Sequence, residues 1–208
     1  MRLPIASEGW PLILPGFAVA ALCLALHWRA AAAVALALAL FVTWFFRDPA
    51  RAIPADPGTL VSPADGKVIE IIPQPGGGTQ ISIFLSIFNV HVNRSPVAGE
   101  VVDVTRRPGK FLAAWKHEAS RDNVQASVTV RTPRGDVRFV QITGLIARRI
   151  VCRLSPGMIV ARGERYGLIR FGSRVDIFLP PAAEPAVRVG DRVRGGADVI
   201  ARWRPSHA

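Results

Sequence analysis

At 208 residues, half of them hydrophobic and with a formal net charge of +11, the chain has room for one ordinary domain of about 150 residues plus a further segment. The basic excess calls for an acidic partner, but the cations are scattered through strand-like segments and a single Tyr offers no aromatic-rich ribonucleoprotein signature, which argues against nucleic acid. Two cysteines, Cys23 and Cys152, lie in separate apolar runs and exclude a disulfide framework or a metal–thiolate site, so no metal is expected.

In chain order, residues 11–26 and 30–46 are two nearly uninterrupted apolar runs divided by His27, Trp28 and Arg29. Each is a little shorter than the ~20 residues that cross a bilayer comfortably, so the runs predict a membrane-associated helical hairpin over residues 1–46, either spanning or re-entrant; a buried soluble hairpin is the other reading. A cleaved signal peptide fits less well, since Arg2 is the whole charged n-region and a second apolar run follows at once. Trp28 and Trp44 suit the membrane interface, and Arg47 and Arg51 suit its cytoplasmic side, so the remainder of the chain is expected in the cytoplasm at the cell membrane. Attraction to anionic membrane lipids, worth about 1 kcal/mol per Lys or Arg near the surface, would then use the excess charge.

Residues 47–60 are dense in Pro, Asp and Gly and read as a linker. From residue 61 to 208, short Val- and Ile-rich runs recur between turn signals: "KVIEII", "QISIFLSI", "GEVVDVT", "ASVTVRT", "DVRFVQIT", "RRIVCRL", "YGLIRFG", "RVDIFLP", "AVRVG" and "DVIARW". This predicts a mainly β, antiparallel domain. Only "KFLAAWKHEASR", residues 110–121, reads as helix. Two segments at opposite ends, "LVSPADGKVIEI" and "VRVGDRVRGGADVIARW", echo each other as the halves of a barrel-sandwich hybrid do. The tip "RGGAD" carries no lysine, which removes a biotinyl or lipoyl carrier role.

Few side chains could do chemistry. Of the four histidines, His27 lies in the apolar hairpin, His207 in the tail and His117 in the predicted helix, whereas His91 stands between a strand-like run and a proline-closed loop. There it is either a reachable general base or a structural histidine bonded to backbone. Asp65 in "SPADGKV" is either an ordinary Asp-Gly turn or the carboxylate that orients an imidazole. The pair Gly172-Ser173 inside "RFGSRVDIFLP" marks either a strand bulge with an incidental serine or a self-cleavage site. On the second reading the hydroxyl attacks the preceding carbonyl, and glycine offers the least obstruction and the widest choice of backbone angles. β-Elimination of the resulting ester leaves dehydroalanine, which takes up water and loses ammonia to give an N-terminal pyruvoyl group.

"GLIRFGSRVDIFLP" closely resembles the self-cleavage segment of the short-form, membrane-linked phosphatidylserine decarboxylases. "FFRDPAR", "VSPADGKV", "SIFNVHVNRSPVAGEV", "RPGKF", "QITGLIARRIV" and "GDRVRGGADVI" resemble the same family in the same order, from about Phe45 onward. The resemblance implies a zymogen that cuts itself between Gly172 and Ser173 into a β chain, 1–172, and an α chain, 173–208, which stay associated. It implies a covalent pyruvoyl cofactor derived from Ser173, and a carboxy-lyase that turns phosphatidylserine into phosphatidylethanolamine in phospholipid biosynthesis. Ser173, His91 and Asp65 match the family's catalytic positions, with His91 as the base that activates Ser173 and Asp65 as its orienting partner; a homo-oligomer is also implied. Two departures stand out. "IFNVHVNR" has one histidine where longer bacterial enzymes have two, and "SRDNVQ" replaces a more charged run, so no role is drawn for Asn123. Arg94 and Arg174 lie nearest the proposed groups and suit an anion, or an ordinary strand-pairing role. The rivals are a non-enzymatic membrane-anchored barrel-sandwich adaptor, which would ordinarily bring heptad-patterned arms that this sequence lacks, and a membrane serine peptidase, which would leave its own chain uncut.

Overall fold

The two apolar runs form helices: α1 (Trp10–Ala25) and α2 (Arg29–Phe45), joined by a tight turn in which His27 takes φ 59°. A computed structural model describes residues 4–145, 149–170 and 172–205; His207 lies outside them. Pro11 starts α1, where its missing N–H costs nothing. A Cβ placed on Gly16 would stand 3.1 Å from the Ala39 Cβ, so small residues let the helices approach. The stretch Ser7–Ala25 is long and apolar enough to cross a membrane, and α2 is shorter. Along both helices Leu14, Leu22, Leu24, Val34 and Leu38 stay exposed.

The chain divides into two compact units, up to Ala50 and from Arg51 onward. The stretch expected as a linker is shared between them. Asp48 N–H donates to the Pro4 carbonyl in the first unit, while Arg162 in the second donates to the carbonyls of Pro54 and Thr59.

The second unit is mainly β, as its alternating runs predict. Its early strands are β1 (Thr59–Val61), β2 (Gly66–Pro73), β3 (Thr79–Leu85), β4 (Val92–Arg94) and β5 (Gly99–Arg107). After the one-turn helix α3 (Ala119–Asp122) come β6 (Gln125–Thr132), β7 (Gly135–Ile142), β8 (Ile150–Cys152), β9 (Ile159–Val160) and β10 (Arg165–Ile169). The last are β11 (Ser173–Leu179), β12 (Ala183–Pro185), β13 (Arg192–Val193) and β14 (Val199–Trp203). An eight-stranded antiparallel sheet runs β13-β2-β3-β11-β7-β6-β5-β9, with two three-stranded sheets, β1-β14-β12 and β4-β10-β8. The two echoing segments pair with each other: Leu60 faces Ala201 and Lys67 faces Arg192.

Strand alternation sends Val68, Ile83, Val128, Phe139, Val175 and Ile177 into one core, each fully buried side chain of this kind stabilising the fold by about 1.5–3 kcal/mol. Two sequence expectations need correction. Residues 186–190 lie outside any strand, and of 110–121 only the last turn is helical. The cause of the second is visible: the Asn123 amide captures both the N–H and the carbonyl of Leu112, at 2.8 Å each, so this backbone cannot enter a helical ladder.

Candidate active site

The last strand before the C-terminal hairpins, β11, lies between β3 and β7 in the middle of the large sheet. Ser173 opens it, opposite Leu85. Side chains alternate, so Ser173 shares the core face with Val175 and Ile177, while Arg174 and Asp176 face the other way. Ser173 is wholly buried, and its Oγ has no hydrogen-bond partner among the described residues. An unsatisfied buried hydroxyl costs about 1–3 kcal/mol, so its presence in a hydrophobic core calls for a reason.

The residue before it supplies part of one. Gly172 has φ +65°, in the left-handed region that suits glycine, and a Cβ there would meet nothing within 4 Å. Conformation rather than space therefore favours glycine, at the corner where the chain leaves the small sheet of β10 for the large sheet of β11.

His91 stands immediately before β4, which pairs with β10. Its carbonyl accepts the Ile169 N–H at 3.4 Å, four residues before Ser173. The ring is buried and its Nδ1 lies 3.0 Å from the Asn89 carbonyl. A carbonyl only accepts, so Nδ1 carries a proton, which leaves Nε2 as the ring position that can act as a base. Asn93, two residues along, accepts from Gln141 Nε2 at 2.8 Å, and Gln141 is the cross-strand partner of Val175. A buried amide pair thus ties β4, the strand after His91, to β7, the neighbour of the strand that begins with Ser173.

Asp65 sits in the turn between β1 and β2. Its carboxylate accepts from Arg51 Nη2 at 2.8 and 3.0 Å and from the Gly195 N–H at 2.8 Å. Lys67, Phe84 and Arg174 are ladder neighbours across β2, β3 and β11, which puts Asp65 about two strand spacings, ~10 Å, from the start of β11. A cleft of about 840 Å³ opens at this end of the sheet, lined by Asp65, Phe84, Ser86, Asn89, Lys67 and Arg192 among others. Ser86 and Phe84 flank Leu85, the partner of Ser173.

The opposite face of β11 is differently built. Arg174 is fully buried and donates to Asp176 Oδ1 at 2.6 Å, Glu70 Oε2 at 2.5 Å and Ser82 Oγ at 2.7 Å. Burial pushes the Glu70 carboxyl up, but its hydrogen bond from His117 and the charge of Arg174 outweigh that and hold it below the usual carboxylate range. Asp176 also accepts from Gln80 and Ser120. Of the two arginines considered for anion binding, Arg174 is thus engaged by its own fold, and buried Arg94 donates to the Gly163 carbonyl at 3.1 Å. Burial raises the Cys152 thiol, which keeps it in the unreactive form. Among the described residues no cluster of His, Cys, Asp or Glu could hold a metal ion.

Sequence reasoning missed Arg51 as the partner of Asp65, reading it only as a charge beside the membrane. It also missed the Asn93–Gln141 pair, although an amide at an inward position of the apolar run "VQI" is a usable signal.

A family model described as phosphatidylserine decarboxylase matches residues 38–201. Over 210 residues, covering 97% of both chains, the sequence is 50% identical to a phosphatidylserine decarboxylase proenzyme of Symbiobacterium thermophilum. It is 44% identical to the proenzyme of the same name from Pelobacter propionicus, over 96% of each chain. With that of Nitrosomonas eutropha it shares 46% identity over 96% of this chain and 95% of the relative.

Proposed function

The chain belongs to the phosphatidylserine decarboxylase family, and on that premise we propose that it is a self-processing enzyme that converts phosphatidylserine to phosphatidylethanolamine, its active group made from Ser173. The observation that carries the reading is the Ser173 hydroxyl, buried without a hydrogen-bond partner among the described residues directly after a left-handed glycine. Such a hydroxyl has lost its water and gained no competing hydrogen bond, which suits a nucleophile directed at the adjacent carbonyl.

His91 Nε2 is not hydrogen-bonded to Ser173 Oγ in this structure; once the two approach, it takes the hydroxyl proton as Oγ attacks the Gly172 carbonyl carbon. The Gly172–Ser173 amide bond breaks, an ester to Oγ forms, and the proton ends on the freed Ser173 nitrogen. Removal of the Ser173 α-proton then expels the Gly172 carboxylate. The remaining enamine takes up water and releases ammonia, leaving the ketone. Asp65, expected to orient His91, instead holds Arg51 and the Gly195 N–H, and the Asn89 carbonyl stands at His91 Nδ1, so the part left to Asp65 is that of a carboxylate lining the cleft at this end of the sheet. Once formed, the pyruvoyl group supplies an electron sink for loss of CO2 from the bound substrate amine. The buried position of Ser173, without a hydrogen-bond partner among the described residues, fits such a group, because a ketone there leaves no hydroxyl donor to satisfy.

The two chains produced by cleavage stay together for a structural reason. The α chain contributes β11 between β3 and β7, β13 beside β2, and β14 beside β1, so its strands are hydrogen-bonded into the β chain. The apolar flanks of α1 and α2 suit lipid, which confines the enzyme to the plane where its substrate lies. Arg47 after α2 and the net charge of +11 suit the cytoplasmic leaflet with its anionic lipids.

Intact-mass spectrometry of the detergent-extracted protein tests the reading. Two chains are expected, 1–172 and 173–208, the smaller lighter by one ammonia than a serine-started peptide. A single uncut, folded chain would overturn it.

A further inference from the structure

Beneath the scissile bond lies a second glycine that the chemistry above does not use. A Cβ built on Gly144 would stand 2.3 Å from the Gly172 carbonyl oxygen and 3.1 Å from its carbonyl carbon. The Ala114 Cβ lies 3.1 Å from the same point. Gly144 does not have a positive φ, so its own backbone would accept alanine; what excludes a side chain is the carbonyl of Gly172.

The seat is held from behind. Asn123 is fully buried, and its Nδ2 donates to the carbonyls of both Leu112, at 2.8 Å, and Thr143, at 2.7 Å, while its Oδ1 accepts the Leu112 N–H. One amide side chain thereby joins the segment that leads to Ala114 with the residue next to Gly144. Thr143 is anchored further by its N–H to the Val124 carbonyl at 3.1 Å. These bonds fix two stretches of backbone distant in sequence, and the scissile carbonyl rests where they meet.

We propose that Gly144, braced by Asn123, is a positioning residue for self-cleavage: it seats the Gly172 carbonyl at the angle from which Ser173 Oγ can reach its carbon. This rests on the cleavage site proposed above. The effect asked of it is geometric. An intramolecular attack needs the reacting atoms about 3–3.5 Å apart and aligned, and a misplacement of 1 Å can cost ~100-fold in rate. A methyl at Gly144 would push the carbonyl by roughly that amount to regain ordinary contact.

The test is the full-length Gly144→Ala protein, followed by intact mass over time, by thermal melting and by treatment with hydroxylamine, which splits an ester but leaves the amide. The expected result is a protein that melts like uncut Ser173→Ala, cleaves ~100-fold more slowly than the wild type and is not split by hydroxylamine, because no ester forms. Cleavage at the wild-type rate would overturn the proposal, and so would an accumulated, hydroxylamine-sensitive ester, which would place the defect after the attack. Should the single variant fail to fold, the Gly144→Ala/Ala114→Gly pair removes the neighbouring methyl while keeping the collision with the carbonyl, and the same deficit is expected. A wrong cleavage site is recognised separately: the wild type would then remain whole, or Ser173→Ala would still split.

Discussion

Ser173 and Arg174 are neighbours on one strand, both wholly buried, and their surroundings are opposite. Arg174 finds two carboxylates and a hydroxyl on its face of the sheet; Ser173, on the face it shares with Val175 and Ile177, finds no hydrogen-bond partner among the described residues. The first arrangement fixes the register of β11 between its neighbours. The second leaves one polar atom unspent in a region whose geometry is already fixed. On the cleavage proposed above, a strand that breaks at its first residue and still holds its place needs both: the satisfied face retains the strand and the unsatisfied face reacts.

The comparison breaks most completely at Ser173. Ser173→Ala is expected to give one uncut chain with no decarboxylase activity, read by intact mass and by product analysis of the lipid. Its denaturation midpoint should not fall, since the variant removes a buried hydroxyl that makes no hydrogen bond among the described residues. His91→Ala is expected to block cutting as well; a His91→Ala protein that matures at the normal rate would remove His91 from the mechanism. On the other face the expected loss is of stability. Arg174→Met strands Glu70 and Asp176 without their cation, and breaking a buried pair in this way costs about 3–5 kcal/mol. Urea denaturation in the Ser173→Ala background, where the chain stays single, measures this from the transition of the β-rich unit. A change below about 1 kcal/mol would show that the network is no more than a surface ion pair.

The inward face of β11 was legible from the sequence, because Ser173 is in phase with Val175, Ile177 and Leu179. The same alternation puts Arg174 on the opposite face, where an exposed, anion-binding side chain is a fair expectation. It is buried because Glu70, Ser82 and the segment around Lys116, whose carbonyl accepts from Arg174 at 3.5 Å, converge there from far away in the chain. Local pattern carries no information about such a cover. The predicted helix over 110–121 failed for a related reason: helical propensity there amounts to a few tenths of a kcal/mol per residue, and Asn123 fastens the Leu112 backbone with two hydrogen bonds. The pairing of β1 with β14 and of β2 with β13 was legible because the two segments echo each other, whereas Arg51 beside Asp65 was hidden in a stretch that reads as linker.

The smallest expected effect sharpens the comparison from the Arg174 side. Glu70 has its carboxyl held below its ordinary 4.5 when folded, the upward push of burial being outweighed by the His117 hydrogen bond and the Arg174 charge. A depressed folded value means that the carboxylate stabilises the fold fully above its unfolded value, and that this contribution fades as pH falls through the folded one. In the Ser173→Ala background, Glu70→Gln should therefore lower stability near neutral pH, and the gap between the two proteins should close as the solution is acidified below about 4.5. Urea midpoints measured from pH 7 down to pH 3 read this directly. A gap that stays constant with pH would mean that Glu70 acts through packing alone, and that the charge balance on this face of β11 rests on Asp176.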